Sequence, residues 1–313
     1  VNAMHPFTDN PADSVAALGE RRLIAAIARW LGDTGPAAPA GIGDDCAVLP
    51  RPRHRALVTV DPVIYGEHFD DAVAPSAAGA KLLKRNLSDI AAMGGTPRAA
   101  VLALALDRTV RTDWLRAFYR GLAAVARRHA VKIVGGDIAH QKGGLAATLT
   151  LFGEAAPGDR VLTRAGARRG DWIYVTGRLG GSLPSRHHWR FTPRLAEGRW
   201  LAARPEVRAM MDLSDGLAKD IHALAPAGCT AAVEPDAIPR RRGHDLRAAL
   251  TDGEDYELLF ALAARADRAA FAAAWKRAFP RTPLACIGRF VPDDKLPTTA
   301  LRWEDHDGFE HLR

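Results

Sequence analysis

With 313 residues, 48% hydrophobic and 25% charged, the chain is long enough for two domains of ordinary size and too apolar for a disordered protein. Its net charge of +7 comes from arginines scattered over alanine-rich stretches, as in Arg127-Arg128 and Arg240-Arg241-Arg242, with no basic run interleaved with aromatics. This argues against a nucleic-acid partner and leaves steering of anionic small molecules open.

Residues 1–18 are mixed and Pro-containing and read as a disordered tail. Arg21 to Leu31 follows as a short amphipathic helix with Leu23, Ile24, Ile27 and Leu31 on one side. A Pro/Ala/Gly loop then ends in Gly41-Ile-Gly-Asp-Asp-Cys-Ala-Val-Leu49. Adjacent carboxylates behind glycines form either a solvated turn or a backbone wrapped around a ligand. Ala56 to Asp61 is a β-branched strand ending on an acid, and His68 follows in Gly66-Glu-His-Phe69.

The next segment, Lys81 to Pro97, predicts a helix that starts at Pro75-Ser76 and stops at Gly94-Gly95. Asn86, Asp89 and Met93 share one face, and Asp89 is surrounded by Leu87, Ile90, Ala91 and Ala92. A carboxylate in that company needs a cation. Lys84 or Arg85 of the same helix supplies one reading and a metal ion the other. A strand at Ala99 to Leu106 and a helix at Trp114 to His129 follow. Lys132-Ile-Val-Gly-Gly-Asp-Ile138 again sets an acid, Asp137, behind a strand and two glycines, and Leu145 to Gly153 closes the first half. Several segments therefore each deliver a carboxylate beside small residues. Oxygen-only donors of this kind suit Mg²⁺ or Mn²⁺, and their recurrence favours a shared multi-metal site.

Glu154 to Arg160, rich in Pro and Gly, is the expected boundary between domains at 19–155 and 156–313. The second half carries a basic turn, a strand at Trp172 to Thr176 and the glycine-rich Gly177-Arg-Leu-Gly-Gly-Ser182. Such a turn can cradle phosphate, although its spacing matches neither the P-loop nor the dinucleotide fingerprint. Asp212, Ser214 and Asp215 cluster at a strand-to-helix junction, where Ser214 or Asp215 can cap the helix, bind a ligand or do both. His187-His188 lies in a basic loop without metal-ligand spacing and reads as surface. Ala249 to Phe260 is an acid-rich turn feeding a strand; a helix (Ala269 to Phe279), a strand (Leu284 to Val291) and an exposed tail complete the chain. Cys46, Cys229 and Cys286 form no C-x-x-C pair and read as reduced thiols of a cytoplasmic protein, and no apolar run is long enough to span a membrane.

Seven ordered blocks together resemble the thiamine-monophosphate kinases, of the family that also contains aminoimidazole ribonucleotide synthetase, selenophosphate synthetase and a hydrogenase maturation protein. In the first half they are Gly-Ile-Gly-Asp-Asp-Cys-Ala (41–47), Gly-Glu-His-Phe (66–69), Asn-Leu-Ser-Asp-Ile-Ala-Ala-Met-Gly (86–94) and Gly-Gly-Asp (135–137). In the second they are Leu-Thr-Arg-Ala-Gly-Ala (162–167), Asp-Leu-Ser-Asp-Gly-Leu (212–217) and Gly-Glu-Asp-Tyr-Glu-Leu (253–258). The resemblance implies an α/β fold of two domains. The N-terminal one has a mixed sheet with helices, binds ATP and Mg²⁺ and pairs its sheet with a second subunit in a homodimer; the C-terminal α/β domain completes the active site. It implies metal-ligand roles for Asp45, Thr59, Asp61, Asp89, Asp137, Asp212 and Asp215, and ATP contacts for Gly136, Asp137, Arg164 and Ser214. His68, Glu254 and Phe309 match positions that hold thiamine monophosphate. The implied reaction is phosphoryl transfer from ATP to thiamine monophosphate, with Asp45, Asp89, Asp137, Arg164 and Asp215 as its catalytic set. A relative with another acceptor and a non-catalytic nucleotide-binding homologue are the alternatives.

The chain departs from the family pattern at Asp61-Pro62, at Glu67 and at 181–193, where a short basic loop replaces a helical stretch. The last of these bears on acceptor specificity more than on ATP or Mg²⁺.

Overall fold

The computed structural model describes residues 4–303 and 306. It divides into two compact units, one comprising residues up to Ile90 together with Thr96–Glu154, the other Ala91–Gly95 together with the residues from Ala155 onward.

The first unit begins with α1 (Val15–Leu18), α2 (Glu20–Leu31) and an extended segment, β1 (Ala37–Asp44). It continues with β2 (Ala56–Ile64), α3 (Pro75–Ala92), β3 (Thr96–Leu106), α4 (Thr112–Arg128), β4 (Lys132–His140) and β5 (Leu145–Glu154). A four-stranded sheet runs in the order β2-β5-β3-β4, antiparallel except for the β3–β4 pair, which is parallel and joined through α4. Parallel neighbours need such a crossover.

Strand β5 shows why the two sheet faces differ. Leu145, Ala147, Leu149 and Leu151 are buried, while Ala146, Thr148, Thr150 and Phe152 are only half-covered. Leu145 and Ala147 of the buried face line an apolar pocket with Leu115 and Phe118 of α4, and Leu82, Leu83 and Leu87 of α3 are fully buried as well. On the opposite face edge strand β2 leaves Val58 and Val60 67% and 58% exposed. Pro75 opens α3 at a position where no N–H is needed, and Gly94, at φ +70°, turns the chain out of it.

Residues 4–18 differ from the expected tail. Phe7 bridges Val110, Ser14 bridges Arg111, and Ser14 and Val15 are buried. The Phe7 ring meets Tyr65 edge-on at 5.5 Å. Their partners lie far along the chain, so local composition carried no sign of this packing.

The second unit holds β6 (Trp172–Thr176), α5 (His187–Arg190), α6 (Leu195–Ala202), β7 (Val207–Asp212) and α7 (Leu217–Leu224). Next come β8 (Cys229–Val233), α8 (Leu246–Thr251), β9 (Leu258–Leu262), α9 (Arg268–Ala278) and β10 (Leu284–Pro292). Its sheet is antiparallel throughout, in the order β7-β9-β6-β10-β8. Every residue of β9 is buried, so it reads as a continuous apolar run rather than an alternating one. One face of the sheet packs Ile173, Val175 and Leu259 with Leu217, Ile221 and Leu250. On the other, Tyr174 stacks on Phe260 at 5.5 Å and Phe271 of α9 closes over both.

Candidate active site

In the first unit β2 and α3 bring three of the expected residues together. Thr59 Oγ1 donates a short hydrogen bond to Asp89 Oδ2. Asp61, two residues along the same strand and so on the same face, lies beside the same carboxyl. Burial and the negative charge of Asp61 push Asp89 up to about 7. Arg85, one helical turn before Asp89, donates from Nη1 to the Pro62 carbonyl at 2.7 Å and reaches Asp61 with Nη2 at 3.4 Å. Of the two cations considered for Asp89, Arg85 is the one whose charge acts on it, opposing the rise caused by burial and by Asp61. Lys84 answers to other surroundings: burial and Arg128 pull its amine down to about 8.

Gly136 and Asp137 sit on β4. A side chain on Gly136 would lie 2.0 Å from the Leu102 carbonyl oxygen, so only glycine fits. Asp45 and Gly136 line a cavity of about 660 Å³ with Ile42, Val101 and Phe152. Asp137 lines a smaller one, about 110 Å³, that also contains Gly136. His68 accepts at Nδ1 from the Ile64 N–H at 3.2 Å, which places its proton on Nε2.

In the second unit Asp212 ends β7 and is buried, followed by Ser214 and Asp215 before α7. Neither Ser214 nor Asp215 caps that helix, whose N-cap is Gly216. Instead Asp220, within the first turn of α7, accepts from the Ser214 and Asp215 N–H groups at 3.0 and 3.1 Å. Burial, then the charge of Asp212, raises the Asp220 carboxyl to about 7. Asp215 meets Lys219 Nζ at 2.8 Å, and Arg164 is exposed.

Glu254 stands at φ +53° in the turn before β9. The expectation that His187-His188 is surface is corrected here. His188 is 5% exposed and its Nδ1 lies 3.1 Å from Glu254 Oε2. The glycine-rich turn also differs from a phosphate cradle: the Gly180 N–H donates to Asp255 and the Gly181 N–H to Asp252. Phe309 lies outside the described residues.

Among the described residues, no group of three or more His, Cys, Asp or Glu side chains is arranged to hold a metal ion. The donor chemistry nonetheless fits a hard cation. Thr59, Asp61 and Asp89 offer only oxygen, and two carboxyls share a half-buried position that positive charge would relieve. Sequence reading missed Arg85 as a partner of Asp61, along with Asp220, His188 and the Asp255–Arg241 pair. Asp220 was within reach, as a third acid at one helix start; the others depend on contacts remote in sequence.

The family described as AIR synthase related protein, N-terminal domain, matches residues 43–155. The thiamine-monophosphate kinase of Salmonella typhimurium is 35% identical over 331 aligned positions, covering 94% of this chain and 99% of that enzyme. The crystal structure of thiamine-monophosphate kinase from Stenotrophomonas maltophilia superposes with a TM-score of 0.71 at 29% identity, covering 93% and 98% of the two chains. A structure described as AaThiL complexed with AMPPCP and TMP gives 0.68 at 27% identity, covering 95% and 98%. With the sequence blocks, the two-unit α/β fold and these relatives in agreement, the chain belongs to the thiamine-monophosphate kinase family, among the AIR synthase related proteins.

Proposed function

We propose that this protein transfers the γ-phosphoryl group of ATP to thiamine monophosphate, giving thiamine diphosphate and ADP. The observation that carries the reading is the 35% identity spanning 99% of the Salmonella enzyme. A structural relative bound to AMPPCP and TMP supports the same pair of substrates.

The residues suit that chemistry. The acceptor is a phosphate monoester, already ionised at neutral pH, so no strong general base is needed. The obstacle is repulsion between two polyanions. Thr59, Asp61 and Asp89, with Asp45 and Asp137, would hold Mg²⁺ in the first unit, and Asp212 and Asp215 in the second. When bound, the ions would neutralise phosphate charge and orient the reacting oxygens. Gly136 lets backbone approach the nucleotide closely, Asp137, Ser214 and Arg164 contact it, and Arg164 balances phosphate charge. His68, through Nε2–H, and Glu254 hold the acceptor, with Phe309 as a stacking surface.

The exposed apolar face of the first unit's sheet, including Val58 and Val60, supports pairing with a second copy of the chain. No helix among the described residues is long and apolar enough to cross a membrane, and we place the enzyme in the cytoplasm. The test is a coupled assay of purified protein with ATP, Mg²⁺ and thiamine monophosphate, with other phosphate monoesters as controls. Thiamine diphosphate above background is the expected product; its absence rejects the reading.

A further inference from the structure

The segment in which this chain departs from the family pattern packs onto the turn that presents Glu254. Three contacts come from a single helical turn and its end. His187 Nε2 lies 2.9 Å from the Asp255 carbonyl oxygen. His188 Nδ1 lies 3.1 Å from Glu254 Oε2, and the imidazole is itself buried against Trp189, with ring centroids 4.4 Å apart. Phe191 stacks on Tyr256 at 4.0 Å with the rings only 19° from parallel. Tyr256 in turn points its hydroxyl at Glu254 Oε1, 3.4 Å away. Thus His187, His188 and Phe191 address Asp255, Glu254 and Tyr256 respectively, and the two carboxylate oxygens of Glu254 meet different partners.

The turn needs such support. Glu254 and Tyr256 both have positive φ, +53° and +52°, a backbone conformation that strains a residue with a side chain. Their N–H groups are tied to the Ser214 and Leu213 carbonyls at 2.7 and 2.8 Å, which fixes the backbone but not the Glu254 side chain. A glutamate has three rotatable bonds, so its carboxylate is directed only if something holds its oxygens. His188 and Tyr256 do that. A carboxylate has roughly four lone-pair sites, so bonds that orient it still allow it to accept from a ligand.

We propose that the His187–Phe191 turn is the acceptor-specificity clamp of this enzyme, with His188 as a positioning residue. Its Nδ1–H holds the Glu254 carboxylate in the direction that recognises an acceptor bearing a cationic, N–H-rich heteroaromatic ring. The inference rests on the reading that Glu254 receives thiamine monophosphate. The short basic segment thereby supports the acceptor site.

The test compares His188→Phe, which keeps a ring but loses the donor, with His188→Asn, whose side-chain N–H can stand in for Nδ1–H. Both are assayed beside wild type for KM of thiamine monophosphate and, separately, of ATP. Losing a charge-assisted hydrogen bond predicts an increase of about tenfold or more in the acceptor KM of His188→Phe, with the ATP KM unchanged. His188→Asn should recover much of the loss. Phe191→Leu, which unstacks Tyr256, should reproduce the same split and serves if His188→Phe does not fold. An unchanged acceptor KM, or equal rises in both KM values without rescue by asparagine, overturns the clamp. Failure of wild type to make thiamine diphosphate overturns the functional reading and the clamp with it; wild-type turnover with unmoved variants overturns the clamp alone.

Discussion

Asp61 on β2 and Asp89 on α3 place like charges at one half-buried position, and the result is an Asp89 carboxyl raised to about 7 by burial and by Asp61. On the proposed reading, a bound cation would relieve that repulsion. Asp89→Asn should therefore separate stability from activity. The metal-free variant should melt at or above the wild-type temperature, because a buried like-charge repulsion is gone. Mg²⁺ should raise the wild-type melting temperature and leave that of the variant nearly unchanged. Turnover should fall about a thousandfold, equivalent to several kcal/mol of charge stabilisation. Full Mg²⁺-dependent turnover in Asp89→Asn would remove Asp89 from the metal set.

The same pair sets a pH dependence whose sign is opposite to that of a surface carboxylate. A carboxyl raised in the folded state binds its proton more tightly there than in the unfolded chain. Its stabilising contribution is complete below the unfolded value of about 4 and is lost as pH rises through about 7. Asp220 and Asp255, also raised to about 7, act in the same direction. Metal-free wild type should thus lose stability to urea between about pH 5 and pH 8. Asp89→Asn should show a shallower loss, and saturating Mg²⁺ should flatten the wild-type curve. A metal-free stability that rises over this interval would contradict the assignment.

A second buried pair shapes the glycine-rich turn. Arg241 Nη1 meets Asp255 Oδ1 closely and also donates to the Gly180 carbonyl at 2.7 Å, while burial still lifts the Asp255 carboxyl to about 7. Arg241→Met leaves a buried acid without its cation and should cost about 3 kcal/mol at neutral pH. Removing Arg241 raises the Asp255 carboxyl further. The deficit should therefore be smaller at pH 5, where the carboxyl is protonated with or without Arg241, than at pH 8. Urea midpoints at the two pH values measure it, and an equal deficit at both would show that the pair is not electrostatic in origin.

How much of this was legible in sequence depended on the range of the interaction. Asp89 stood out because helical spacing surrounds it with Leu87, Ile90 and Ala91 within one turn, and α3 runs between the start and stop signals read for it. The partner of Arg85 did not stand out. Helical spacing puts Arg85 near Asp89, and only the packing of α3 against β2 brings it to Asp61 and the Pro62 carbonyl. In sequence the glycine-rich turn at 177–181 reads as one that can cradle phosphate, and Gly177, Gly180 and Gly181 do stand at positive φ, +66°, +80° and +67°. Their N–H groups at 180 and 181 are nevertheless taken by Asp255 and Asp252, residues that no local pattern connects to the turn. His188 failed for the same reason, since adjacent histidines carry no sign of a glutamate far along the chain.

The outward face of the first unit's sheet gives the last prediction. Edge strand β2 exposes Val58, Val60 and Ile64 at 67%, 58% and 38%, and β5 beside it leaves Phe152 only half-covered. Alternation along β2 makes these exposed residues one apolar stripe, while Thr59 and Asp61 between them turn to α3. An edge strand with an apolar face invites pairing with another copy. Wild type should therefore sediment as a dimer, and Val58→Glu with Val60→Glu should sediment as a monomer. Like charges facing each other across a two-fold contact repel, and each valine carries about 1.5–3 kcal/mol of burial on a covered face. Because the substituted side chains point away from Thr59 and Asp61, the Mg²⁺-induced rise in melting temperature should persist in the monomer. A double variant that remains dimeric would place the interface elsewhere on the chain.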